Sequence, residues 1–285
     1  MSLAKEFRFS QGSLQDYVDC ARRFQLRYVR RLRWPAIQVS PALESEQQLQ
    51  RGAAFHRLIH RHLLGIAVER LSDYVTDPLL RQWWQGYLET APSDLPGSRY
   101  PEVTLSAPVG HFRLVAQYDL VAVHQGERAV IVDWKTSHRR PDRATLRQRL
   151  QTRVYPYLLV RAGELLNAGQ PLRPEQLSMV YWFANFPALP EWYHYNDEKY
   201  SSDHDLLSSL IAEIAGRIEE WDPDTLLPST DHRRTCRYCE YRSLCRRGVA
   251  AGLLRERPPS SADPVADGMF EFEFDFEQIA EVDFG

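Results

Sequence analysis

Four cysteines constrain this chain more than any other feature. Cys236, Cys239 and Cys245 form a C-x2-C-x5-C triplet near one end, and Cys20 stands alone near the other. So tight a triplet leaves little room for a disulfide pattern and has the spacing of metal-binding thiolates. Three thiolates need a fourth ligand, and Cys20 is the cysteine left. The count is therefore that of one tetrathiolate site, holding structural zinc or an iron–sulfur cluster. Spacing does not separate the two, and zinc is the commoner default. Either would pin the first helix to the end of the fold, because metal binding at such a site is folding free energy.

The 285 residues are 44% hydrophobic and 26% charged, enough for one large globular domain or two modest ones. The net charge of −3 hides an asymmetry. From Pro258 onward there are eight acidic residues and no basic ones, so the first 257 residues carry a net +5. A basic body suggests an anionic partner. Only Lys5, Lys135 and Lys199 are lysines and none follows a glycine, which excludes a Walker A phosphate loop. The apolar stretch between Glu175 and Glu191 is broken by Asn185, Pro187 and Pro190 and is too short to span a bilayer. The opening MSLAKEFRFS has no apolar h-region. The expectation is a cytoplasmic chain with no membrane partner.

Helical periodicity predicts helices over 10–33, with Ser10 or Ser13 as cap, and over 44–66 and 77–90. Short β-branched runs at 102–108, 112–124 and 127–136 predict a strand meander with turns at 108–110 and 125–126. A helix over 142–168, strands at 177–185 and 191–196, and a helix over 203–221 follow, ahead of the cysteine-rich turn at 236–245. The order implies an α/β core with helical additions across 1–257. Residues 258–285 read as an acidic, flexible tail ending FEFEFDFEQIAEVDFG, either a solubilising segment or one that docks in a basic groove or on a partner.

Two acids lie in strand-like surroundings, Asp119 in QYDLVAV and Asp133 in VIVDWKT. Buried carboxylates are costly unless paired or metal-bound. Lys135, two residues after Asp133, points to the same face of a strand. Two acids and a lysine suit a hard divalent cation with a water beside it. Taken alone, Asp133 and Lys135 read more simply as a surface ion pair on an edge strand. His56 lies on the apolar side of its helix, where a core histidine is the commoner reading and a metal ligand the sharper one. Gln151 and Tyr155 sit one turn apart on a helix with Arg147, Arg149 and Arg153. They read as a solvated face or as a polar pair serving the lysine. Arg22, Arg23, Arg27, Arg30, Arg31 and Arg33 make the first helix a second candidate phosphate track. Trp83, Trp84, Trp182 and Phe183 are candidates to stack single-strand bases, with core packing the favoured reading.

Together these segments resemble the iron–sulfur branch of the PD-(D/E)XK nuclease superfamily, the RecB/AddB-type nuclease domains and CRISPR-associated RecB-like exonucleases, over roughly residues 10–247. SQGSLQDYVDCARRFQLRYV is similar to the family's S-x-S-x-L-x-x-Y-x-x-C-P-x-x-F opening, with Ala21 in place of the proline. RGAAFH matches G-x-x-x-H, with His60 where a glutamate often follows. Glu102 stands where the family often has an acid opening the sheet. Asp119, VDWKTS, Gln151 with Tyr155 and CRYCEYRSLC follow in the family's order.

The resemblance implies a restriction-endonuclease-like mixed sheet flanked by helices, stapled by a metal cluster between its N- and C-terminal parts. It implies Mg²⁺ or Mn²⁺ on His56, Asp119, Asp133 and the carbonyl of Trp134, with Lys135 positioning the attacking water and Gln151 and Tyr155 in support. It also tips the thiolates Cys20, Cys236, Cys239 and Cys245 from zinc to a [4Fe–4S] cluster. The implied activity is DNA hydrolysis, on single-stranded or end-bearing DNA, in repair, recombination or CRISPR-type processing beside a helicase or an adaptation protein. The alternative is a non-catalytic DNA-binding subunit of a helicase–nuclease, with the thiolate site as a structural pin. The intact Asp119, Asp133 and Lys135 set argues against it.

Overall fold

The computed structural model describes residues 3, 7–32, 40–222, 224–232, 235–236 and 239–247, without the side chains of 40–46. The tail expected at 258–285 lies outside the described residues. Alternation along the strands builds one mixed sheet from β1 (Arg8–Ser10), β2 (Ser98–Val109), β3 (Phe112–His124), β4 (Arg128–Lys135), β5 (Leu177–Phe183) and β6 (Glu191–His194). Its order is β1-β3-β4-β5-β6, with β2 also on β3. β3 is antiparallel to β2 and β4 and parallel to β1, β4 is parallel to β5, and β5 is antiparallel to β6.

The period of two sorts these strands into two faces. Ala129, Ile131, Met179 and Tyr181 pack on one face beneath α1 (Gln11–Asp19), α7 (Leu150–Ala162) and α8 (Asp197–Glu219). Val130, Val132, Trp134, Val180 and Trp182 pack on the other beneath α3 (Ser40–Leu63), α4 (Val68–Ser72) and α5 (Pro78–Thr90). The result is the expected mixed α/β architecture with helices on both sides of the sheet. Among the described residues, no helix is long and apolar enough to cross a membrane.

The departures from the expected elements have local causes. The helix expected over 10–33 is interrupted at Cys20, whose backbone is extended at φ −167°. It resumes as α2 (Ala21–Phe24) and a π-helical turn at Gln25–Val29. Ser10 caps α1 and Ser13 returns a bond to the Ser10 backbone, so both candidate caps act together. The helix expected over 142–168 divides into α6 (Arg143–Gln148) and α7 at Arg149, whose backbone is extended. β1 is too short to show a period and pairs in parallel with Arg113–Val115. Trp83, Trp84, Trp182 and Phe183 are all 1% exposed or less, so they pack the core and are not available to stack bases.

α7 ends against a neighbour it must touch closely. A Cβ at Gly163 would lie 2.4 Å from the Leu159 carbonyl oxygen and 2.9 Å from Leu172 Cδ1. Gly163→Ala is expected to lower unfolding stability by about 1–3 kcal/mol through this overpacking, read as a lower urea midpoint at unchanged slope.

Candidate metal and catalytic centre

β3 has two edges, and β2 runs along the whole of one. β1 pairs with Arg113–Val115 and β4 with Leu120–His124, so these two share the other edge and leave β3 uncovered between them. One step beyond the last β3–β4 pair, the same register would set Asp119 opposite Asp133. The strands part there instead. The Asp119 side chain takes over the ladder, its Oδ2 accepting the Trp134 N–H at 2.7 Å.

The β2–β3 ladder breaks at the same level. Every residue from Ser98 to Val109 pairs with β3 except Glu102, which the register would set opposite Asp119. Glu102 has φ +52°, a left-handed backbone that is uncommon for a side-chain-bearing residue. The inward face shifts phase in both strands here. It runs 100 then 103, 105, 107 in β2, and 114, 116, 118 then 121, 123 in β3. This double irregularity brings two acids beside α3. His56 Nδ1 lies 3.2 Å from Asp119 Oδ1. His56, Glu102 and Asp119 offer three ligand atoms within 4.8 Å of one another. Their donors, an imidazole and two carboxylates, suit a divalent cation. His56 and Asp119 keep 23% and 19% of their side chains exposed, so an ion can reach them.

Asp133 and Lys135 occupy a drier place one strand over. They lie on the α7 face and are 4% and 3% exposed, with Lys135 Nζ 3.0 Å from Asp133 Oδ2. Gln151 joins them with both ends of its amide: Nε2 donates to Asp133 Oδ1 at 2.7 Å, and Oε1 accepts from Lys135 Nζ at 2.9 Å. The simpler reading of Asp133 and Lys135 as a surface pair therefore fails, because β4 is an internal strand covered on both faces. Gln151 is likewise 3% exposed rather than solvated. Tyr155 is buried, with its ring 4.8 Å from that of Tyr118 and its carbonyl accepting the Tyr118 hydroxyl.

Opposing charge sets the protonation of the open trio. Burial pulls the His56 imidazole down, but Asp119, Glu102 and Asp133 outweigh it and hold His56 above its ordinary value. Burial pushes Asp119 up, but His56, the Trp134 amide and Lys135 hold it below the usual carboxylate range. Glu102 is left as the strained member, raised from 4.5 to about 7 by burial and by Asp119.

Of the expected ligands, the structure brings His56 and Asp119 together and keeps Asp133 in the adjacent buried set. It shows Trp134 acting through its amide N–H. Glu102 was absent from the expected ligand set. Its sequence signal was its place, where the resembled family often has an acid opening the sheet, and no ligand role was drawn from it. Sequence reasoning also missed Gln48, Asn185 and Trp83, which anchor the end of β4. Gln48 and Asn185 both donate to the Thr136 carbonyl, and Trp83 holds the Asn185 amide.

The four cysteines are free thiols lining one small cavity with Arg23 and Arg242. Burial raises Cys236, and it raises Cys239 to about 11 against the pull of Arg23. The arginines beside them are used structurally. Arg23 pairs with Asp16 and Asp19, Arg27 with Asp16 and Glu240, and Arg22 and Arg30 bond the carbonyls of Leu227 and Thr225. Arg22, Arg27 and Arg30 thus clamp the two ends of the fold, and Arg23 is paired within the first of them, so these four do not form a free phosphate track. Arg33 lies outside the described residues.

Because folding raises Glu102 from 4.5 to about 7, the folded chain binds more protons than the unfolded chain across that window. Stability of the metal-free protein should therefore fall as pH rises through it, and raised His56 acts in the same direction above its ordinary 6.5. Unfolding followed in chelator from pH 4.5 to 7.5 should show this decline, and Glu102→Gln should flatten it.

No curated protein matches the sequence. Among solved structures, the protein SSO0001 is similar at TM-score 0.39 and 13% identity, over 84% of this chain and 85% of its own. A candidate exonuclease from Eubacterium rectale is similar at TM-score 0.46 and 10% identity, over 77% and 84%. The family model of the PD-(D/E)XK nuclease superfamily matches residues 8–246. That match takes in every strand and helix placed above, together with His56, Asp119, Asp133, Lys135 and all four cysteines, and the chain belongs to the PD-(D/E)XK nuclease superfamily.

Proposed function

We propose that this protein is a divalent-metal-dependent deoxyribonuclease that hydrolyses phosphodiester bonds of single-stranded or end-bearing DNA. One observation carries the reading: an open His56–Glu102–Asp119 trio lies beside a buried Asp133–Lys135–Gln151 set where β3 and β4 part. A bound Mg²⁺ or Mn²⁺ supplies Lewis acidity to the phosphate and a more acidic water. His56, Asp119 and Glu102 are placed to hold that ion, with Asp133 and the Trp134 carbonyl as the further ligands the family pattern suggests. Lys135 supplies a fixed positive charge for the attacking water and for the charge that develops on the phosphate. Gln151 holds Lys135 and Asp133 in one geometry, and Tyr155 packs the turn that carries Gln151.

Burying a lysine and an aspartate costs several kcal/mol that their mutual attraction only partly offsets. A DNA clamp needs no such set, so the non-catalytic alternative finds no support here. The four thiols sharing one cavity support a tetrathiolate centre, which we assign to a structural [4Fe–4S] cluster in preference to zinc. Cytoplasmic repair, recombination or CRISPR-type processing beside a helicase or adaptation protein is the setting this activity fits. The acidic tail would then dock in cis or on that partner.

Digestion of end-labelled DNA tests the activity. Cleavage should require Mg²⁺ or Mn²⁺, stop in EDTA, and fall about a thousandfold or more in Asp119→Asn and Lys135→Gln. Cleavage that survives chelation or both substitutions overturns the reading. Anaerobic purification should give iron–sulfur absorbance that Cys239→Ser removes and Lys135→Gln leaves intact. Zinc in its place would return the site to the simpler assignment.

A further inference from the structure

Residues Asp133, Tyr181 and Glu191 stand in one row across β4, β5 and β6. At about 4.8 Å per strand, Glu191 lies about 10 Å from Asp133. Lys135 lies 5.6 Å from the Tyr181 ring centre, and the Tyr181 ring lies 6.0 Å from that of Tyr193, so packed side chains join the centre to β6.

Glu191 is 8% exposed and anchors two arginines, Arg140 at 2.5 Å and Arg143. Each arginine also lies over a ring, Arg140 over Phe183 at 5.7 Å and Arg143 over Tyr193 at 4.9 Å. Arg143 nonetheless leaves 62% of its side chain exposed. Arg140 is 26% exposed and its Nε donates to the Leu189 carbonyl, so the core aims both forks and that of Arg143 is the more open.

Exposed Arg139 and Arg147 flank them, and among the described residues neither forms an ion pair with an acid. Lys199 approaches from the first turn of α8. Burial, together with Arg147 and Arg143, holds its ammonium below its ordinary value. Asp203 and Glu198 pull the other way, and Glu191 offsets part of the charge of Arg140 and Arg143, so the cations of α6 and the start of α8 are only partly balanced.

We propose that Arg139, Arg140, Arg143, Arg147 and Lys199 form a rim that binds the sugar-phosphate backbone of one DNA strand. Its anchor, Glu191, lies two strand spacings, about 10 Å, from Asp133. The proposal rests on the nuclease reading. A single strand is favoured because Asp133 and Lys135 lie below the surface, where a flexible strand bends in and a stiff duplex does not.

Fluorescence anisotropy of a labelled oligothymidine on the full chain, in Ca²⁺ and across rising KCl, tests it. Arg139→Gln combined with Arg147→Gln breaks no ion pair and should leave thermal unfolding unchanged. It should weaken binding about tenfold and lower the salt slope by about 1.4, two contacts at about 0.7 each. Arg70→Gln, on α4 at the other face of the sheet, should change neither.

If the unsubstituted chain binds and cleaves while the double variant matches it in affinity and slope, the rim is wrong and the nuclease reading stands. If the unsubstituted chain neither binds nor cleaves, both fall. If truncation after Arg257 tightens binding and erases the effect of the double variant, the acidic tail occupies the rim and the proposal is overturned.

Discussion

One uncovered stretch of strand edge organises this molecule. β1 and β4 approach β3 from the same side and stop short of each other, and at the break the Asp119 carboxylate accepts the Trp134 N–H that the ladder would have used. A charged acceptor on a backbone donor is a strong bond. It stitches the parted strands while holding the acid at their mouth. The left-handed Glu102 on the other side of β3 and His56 on α3 then complete a pocket that an unbroken sheet would have filled with backbone. A backbone conformation of this kind costs about 1–3 kcal/mol and persists only where its surroundings impose it.

Two electrostatic environments adjoin at this break. The open trio concentrates two carboxylates against one imidazole, and the surplus negative charge shows in Glu102, which is raised to about 7. That surplus favours a cation. The buried set is closed by contrast, since every polar end of Gln151 is engaged and Asp133 is matched by Lys135. The first environment is suited to acquiring an ion and the second to fixing an ammonium beside it. Gln48, Asn185 and Trp83 extend that rigidity past the end of β4.

The clamp between chain ends is wider than the cysteines. Gln25 accepts the Leu227 N–H at 2.7 Å, Tyr241 donates to the Leu32 carbonyl at 2.8 Å, and Arg27 reaches Glu240. The arginine-rich opening therefore serves the join. Among the described residues, the cations of α6, the loop before it and the start of α8 are outside that join, as are exposed Arg57 and Arg61 on α3. Charge counts along a sequence could not make that division, because an arginine paired in the core and an arginine facing water contribute equally to the total.

Much of the architecture was legible because it follows local periodicity. The three-strand meander, the strand pair at 177–196 and the helix at 77–90 appear where alternation and helical spacing put them. β1 escaped because three residues carry no period, and the break at Cys20 escaped because the helical spacing of apolar residues carries on across it, from Leu14 and Tyr17 to Phe24 and Tyr28. The sequence by itself determined the inventory: four thiols and no more, two acids and a lysine in strand-forming surroundings, and a basic body. Only the tertiary structure decided which of these meet. It recruited Glu102 and assigned Arg22, Arg27 and Arg30 to the clamp, and between readings the sequence left open it chose the buried set for Asp133, Lys135 and Gln151 and the core for the tryptophans. Those outcomes depend on where strands from distant parts of the chain pair and part, and the free energy of a charge is set by neighbours that sequence order does not name.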